Sequence, residues 1–194
     1  MSRARRRAAA VMAAVAAGVA LAVVLLTGAA NGNSSGVTDI GGNTSAVLYA
    51  AGHRPLAPEF SGTTLTGSRL SVSAYRGKVV VLNFWGSWCA PCREEAPALA
   101  ALARTYRGAG VAFLGVDVRD TDASAQAFAR DFGITYPSVA DPASVVTMDF
   151  TTVVPIAGTP TTLVIDRTRH IAGAVFGAAT YSELATILAT VTRG

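Results

Sequence analysis

Cysteine and histidine are nearly absent from this chain of 194 residues, which holds two of each. Two cysteines cannot build the multi-bridge framework that staples small exported domains. A structural zinc site wants four ligands, and Cys89, Cys92, His53 and His170 are the whole Cys/His supply. His53 falls in a stretch of linker composition and His170 in a turn, so no metal is expected. Net charge is scarce as well. The formal charge is +4, but Arg3, Arg5, Arg6 and Arg7 supply all of it, and the remaining twelve basic side chains match the twelve acidic ones. The folded part therefore carries no net electrostatic case for nucleic acid. Internal repeats do not stand out. No cysteine lies near residue 30, which removes a lipid anchor on a processed cysteine.

The four arginines precede an uncharged run from Ala8 to Ala30, rich in Ala, Val and Leu. A basic stretch before an apolar one marks an export signal or a membrane anchor. The run is long for a signal, and a span needs roughly 20 apolar residues. It is also mostly alanine, and Gly28, Ala29 and Ala30 offer a cleavage site. Both readings stay open, and both put everything after Asn31 outside the cytoplasm. Arg5-Arg6-Arg7 lacks the surroundings of a twin-arginine signal. Residues 1–30 are thus expected as a signal peptide or N-terminal anchor. Residues 31–52, rich in Gly, Asn, Ser and Thr, read as a flexible linker. Residues 53–194 read as the folded domain.

Within that domain, Phe60 to Leu65 and Arg69 to Val72 alternate around Gly67 and predict a hairpin. Val79 to Trp85 is a nearly continuous apolar run, β-branched at its start, and predicts a buried strand. A helix should follow from about Pro91 to Tyr106, with Ala96, Leu99, Leu102 and Ala103 at helical spacing. Val111 to Val116 reads as a second buried strand. A helix capped by Thr121 or Asp122 runs to about Phe132. Then come a short strand at Tyr136 to Ala140, a weak helix at Ser144 to Phe150, a strand at Thr161 to Asp166, a hairpin partner at Ile171 to Gly177, and a last helix at Ser182 to Thr192. This order predicts an α/β fold, a central mixed sheet flanked by helices.

Cys89 and Cys92 sit between the predicted strand and the predicted helix. The first turn of a helix carries unpaired N–H groups and a partial positive charge, which stabilise a thiolate there. The thiolate is the form that attacks a disulfide, and Cys92, one turn in and more buried, is placed to resolve the adduct. As a structural staple the pair is poor, because so short a loop removes little unfolded-chain entropy. The expected chemistry is thiol–disulfide exchange with no cofactor beyond the cysteine pair.

The run Leu82-Asn-Phe-Trp-Gly-Ser-Trp-Cys-Ala-Pro-Cys-Arg-Glu-Glu-Ala-Pro97 resembles the TlpA/ResA/CcmG (DsbE-like) branch of the thioredoxin superfamily. Gly158-Thr159-Pro160-Thr161-Thr162 before Leu-Val-Ile-Asp resembles that family's cis-proline loop. The resemblance covers roughly residues 55 to 194. It implies a thioredoxin-like fold with an N-terminal β-hairpin extension and a central insertion near 117 to 141. It implies Cys89 as the attacking and Cys92 as the resolving cysteine. Pro160 matches the cis-proline, Thr159 the residue whose backbone meets an extended substrate, and Trp88 the tryptophan flanking the site. Thioredoxin has a buried Asp six residues before its first cysteine; here that position is Asn83, which cannot accept a proton. Glu95, three residues after Cys92, shares its helix face and matches a glutamate that ResA-type proteins keep near the pair. Burial would raise its pKa and let it move a proton.

The resemblance implies an extracytoplasmic reductase of exported protein disulfides. Its clients would include apocytochrome c, and a membrane thiol carrier of the DsbD/CcdA kind would be the electron donor. A monomer is expected. A disulfide-forming oxidase would use the same residues, and a non-catalytic peptide-binding module could use Trp88 and the proline loop alone. A peroxidase would need its cysteine in another local setting.

Overall fold

The structure, a computed structural model, describes residues 36–41 and 45–193. The expected signal or anchor therefore lies outside the described residues. No helix among the described residues is long and apolar enough to cross a membrane.

In chain order the strands are β1 (Val37–Asp39), β2 (Ser45–Tyr49), β3 (Ser61–Thr63), β4 (Arg69–Ser71), β5 (Val79–Trp85), β6 (Val111–Val118), β7 (Ser138–Asp141), β8 (Thr161–Ile165) and β9 (Ile171–Phe176). The helices are α1 (Ala90–Thr105), α2 (Asp122–Asp131), α3 (Val145–Thr151) and α4 (Tyr181–Arg193). Seven strands form one sheet in the order β1-β2-β9-β8-β5-β6-β7. β6 lies parallel to β5 and β7 to β6, whereas β8 is antiparallel to β5 and β9 to β8. This is the mixed sheet expected from the element order. β3 and β4 make the expected hairpin as a separate ribbon.

β5 is central, so every one of its residues is buried. Alternation sends successive side chains to opposite faces. Val80, Leu82 and Phe84 join a core completed by Phe60, Leu70, Val72 and Phe150. Val79 and Val81 face the other way, into a core with Leu99 and Leu102 of α1 and with α4. α4 contributes Leu184, Ile187, Leu188 and Val191, the spacing of one helical stripe. Trp85 belongs to a third cluster, around the cysteines.

Two sequence expectations change. The stretch read as a linker supplies β1 and β2. Ser45 to Leu48, which includes Val47 and Leu48 of its short apolar island, pairs antiparallel with β9, Tyr49 pairs with Val37 of β1, and Ala46 is fully buried. The reason is non-local: β9 offers an outer edge of backbone groups, and β2 satisfies them. Secondly, β6 continues two residues past Val116, which carries Asp117 inside the sheet next to Trp85.

Candidate active site

β5 ends at Trp85, and the turn Gly86-Ser87-Trp88 delivers Cys89 to the N-cap of α1. The Cys92 backbone N–H donates to Cys89 Sγ at 3.2 Å, so the sulfur occupies the place of a capping oxygen. Pro91 fits the first turn because no intrahelical partner awaits its missing N–H. Cys89 and Cys92 form a disulfide with Cα atoms 5.3 Å apart. The sequence puts Cys92 deeper; the structure encloses both, at 3% and 1% exposure. Leu65, Trp85, Ala96, Ala125 and Phe128 surround them.

The turn is clipped down at several points. Trp88 is 56% exposed, yet its indole N–H donates to the Val118 carbonyl at 3.0 Å. The ring lies over Gly86, where a Cβ would come within 2.5 Å of Nε1. A side chain at 86 would therefore push the Trp88 ring off this seat. The Ser87 N–H donates to Asp120 Oδ2 at 2.6 Å, and the Ser87 carbonyl accepts from Arg93 at 2.6 Å.

Glu95 is buried at 1% exposure on the inner face of α1. Asn83 Nδ2 donates to its Oε1 at 2.7 Å, and the Ala179 N–H donates to its Oε2 at 2.8 Å. Asn83 also donates to Thr162 Oγ1 at 3.0 Å, tying the carboxylate to β5 and β8 together. Burial pushes the Glu95 pKa up to about 7, against the pull of the two donors. A carboxyl that titrates there can give or take a proton at neutral pH.

A second buried acid lies on the other side of β5. Asp117 is 1% exposed, and its Oδ1 has no partner among the described residues. Burial raises its pKa to about 8, helped by the charge of Asp120, a hydrogen bond with Asp120, and the charges of Asp122 and Asp141. Asp117 is thus a neutral acid at pH 7. Asp141 is occupied elsewhere, accepting from the backbone N–H groups of Val146 and Thr147. Sequence reasoning missed Asp117 and Asp120. The available signal was a lone Asp at the alternating position of an apolar strand, Phe113 to Val118, sharing its face with Gly115.

The Thr159–Pro160 peptide bond is cis. Phe84 and Thr161 are register partners, so this loop enters β8 at the same end of the sheet where Gly86 to Cys89 leave β5. The Thr159 hydroxyl is buried and has no partner among the described residues. The fold therefore brings Trp88, Cys89, Cys92, Glu95, Thr159 and Pro160 to one end of the sheet.

Residues 54–174 match the AhpC/TSA family. Thiol-disulfide oxidoreductase ResA of Geobacillus kaustophilus is 37% identical over 128 residues, covering 66% of this chain and 71% of that protein. A DsbF homologue from Corynebacterium diphtheriae superposes with a TM-score of 0.69 at 34% identity, over 80% of this chain and 99% of that one. A secreted thiol-disulfide isomerase from Corynebacterium glutamicum gives a TM-score of 0.72 at 29% identity, over 82% and 100%.

Proposed function

The chain belongs to the AhpC/TSA family and is a thioredoxin-like thiol–disulfide oxidoreductase of the ResA/DsbE type, and from that premise we propose that Cys89 and Cys92 reduce disulfides of exported proteins. The observation that carries the reading is the cysteine pair capping α1 with a buried, neutral-range carboxyl three residues on.

Cys89 attacks a client disulfide as the thiolate, favoured by the helix N-terminus. A mixed disulfide forms, and one client sulfur leaves as a thiolate that takes a proton. Cys92 gives its proton to Glu95 and attacks Cys89 Sγ. The second client sulfur leaves, the Cys89–Cys92 disulfide closes, and the client has gained two electrons. Thr159 and Pro160 present backbone to the extended client, and Trp88 covers one side of it. A membrane thiol carrier of the DsbD/CcdA kind returns two electrons to the pair. Apocytochrome c, with paired thiols that must be reduced before haem attachment, is a fitting client.

The charges around the pair support this direction of transfer. A strong oxidant has a stabilised reduced form. Here the helix N-terminus favours the Cys89 thiolate, but Glu95 and Asp120, which accepts from the Ser87 N–H, oppose added negative charge nearby. That balance favours a reductant. Residues 8–30 are read as a retained anchor, because the run is longer than a signal requires.

Two measurements test this. Cys92→Ser should accumulate mixed disulfides with clients through Cys89; their absence with cellular and model substrates alike would favour a binding module. The pair's reduction potential should lie near the about −270 mV of thioredoxin, and a value near the about −120 mV of DsbA would make the protein an oxidase.

A further inference from the structure

The two ends of the domain carry opposite charge. The cysteine end presents Glu94, Asp120, Asp122 and Glu183 beside Arg93 and Arg119. The other end is formed by the start of β5, the end of α1, the β8–β9 turn and the end of α4. Two hydrogen bonds hold these pieces together: the Val79 N–H to the Gly110 carbonyl at 3.0 Å, and Arg167 to the Thr192 carbonyl at 3.4 Å. Lys78, Arg104, Arg107, Arg167 and Arg193 are all exposed there.

The acids at that end are largely neutralised. Glu59 is paired with Arg76 at 2.9 Å and Arg169 at 2.6 Å, and Asp166 with Arg54 at 2.9 Å. Asp131, exposed at the end of α2, forms no ion pair among the described residues. Leu56, bridged to His170 beside the β8–β9 turn, is 54% exposed at the same end. An exposed apolar side chain on a basic face suits the boundary between headgroups and acyl chains.

The chain also enters the domain at this end. The Ala50 N–H donates to the Gly36 carbonyl at 2.6 Å, and Gly36 lies against His53, next to Arg54. The apolar run of the sequence ends at Ala30. The residues between it and Gly36 can reach at most about 20 Å. A tether through residues 8–30 would thus attach at the basic end.

We propose that this basic end, which also exposes Leu56, docks on the anionic phospholipid headgroups of the membrane and points the cysteine pair away from the lipid. The proposal rests on the retained-anchor reading of residues 8–30. Each Lys or Arg is attracted by the charge of an anionic headgroup, and the attraction is lost beyond a Debye length, about 8 Å in physiological salt.

The test uses the full chain with phosphatidylcholine vesicles, with or without phosphatidylglycerol. Backbone amide exchange at residues 104–110 and 166–170 should slow severalfold only when phosphatidylglycerol is present, and should recover in high salt. Exchange at residues 86–89 should not change. Arg104→Glu, Arg107→Glu and Arg167→Glu together should abolish the slowing while leaving reduction of a small disulfide intact. Equal exchange on both vesicle types overturns the docking. Failure to float with phosphatidylcholine vesicles removes the anchor reading instead. In that case flotation with phosphatidylglycerol vesicles, lost in the triple variant, supports the docking, and no flotation overturns it.

Discussion

Two buried acids flank β5 beneath the cysteine turn, and they are built in opposite ways. Glu95 has a donor on each oxygen, from Asn83 and from the Ala179 backbone, and only burial raises its pKa. Asp117 has an orphaned oxygen and acids for neighbours, so burial and charge push the same way. Between about pH 7 and about pH 8 the first is ionised and the second is neutral. The comparison separates two jobs. A carboxyl with its ionised form satisfied can cycle a proton. One without donors can hold its proton and so keep Asp120 seated on Ser87.

The largest effect should come from Glu95→Gln. The amide keeps the shape but cannot take the Cys92 proton. Resolution of a preformed mixed disulfide should slow on the order of 100-fold, the low end for losing a positioned base. The inflection near pH 7 in the reactivity of the cysteine pair should vanish with it. Stopped-flow resolution and thiol alkylation against pH report both. A variant that resolves at the normal rate with the same inflection would assign the proton to another group, and Asp117 would be next.

Asp117→Asn should leave that inflection and change stability instead. An acid whose folded pKa is raised makes the native state bind the extra proton. Its contribution to stability is intact below the unfolded value, about 3.9, and falls as pH rises to about 8, where it levels off. Glu95 has the same sign, but its slope ends near pH 7. Above that, Asp117 is the raised carboxyl still contributing, at no more than about 1.4 kcal/mol per pH unit. Asparagine removes the slope, so the variant should gain on the wild type between pH 7 and pH 8. Denaturant midpoints across that range check it, and parallel curves would show that Asp117 is already ionised.

The two acids also differ in how far the sequence reveals them. Glu95 is legible because helical spacing places it under Cys92 once α1 is recognised. The buried run Val79 to Trp85 and the Gly108 to Gly110 stop bracket that helix from local signals alone. Asp117 is not legible in the same way. A polar residue after Phe113 to Val116 reads as the end of a strand, and what carries β6 onward is its pairing with Trp85 on one side and Ala140 on the other. β1 and β2 are hidden for a related reason. Their composition suits a spacer, and their order comes from the open edge of β9, which local composition does not report. The proline loop reads from its motif, whereas the orphaned Thr159 hydroxyl appears only in three dimensions.

The smallest effect concerns what the Asp117 side holds. Trp88 is clipped to Val118, one residue beyond Asp117, and Ser87 to Asp120. Trp88→Phe keeps an aromatic ring over Gly86 and removes the indole N–H. The Val118 carbonyl then turns to water, so the loss should be about 0.5 kcal/mol, the low end for a net hydrogen bond. Glu95 is untouched, and the pH inflection of the cysteine pair should stay near 7. If the inflection moves, the turn couples the two acids. If only the denaturant midpoint moves, they act separately, with Glu95 serving the chemistry and Asp117 the loop that carries it.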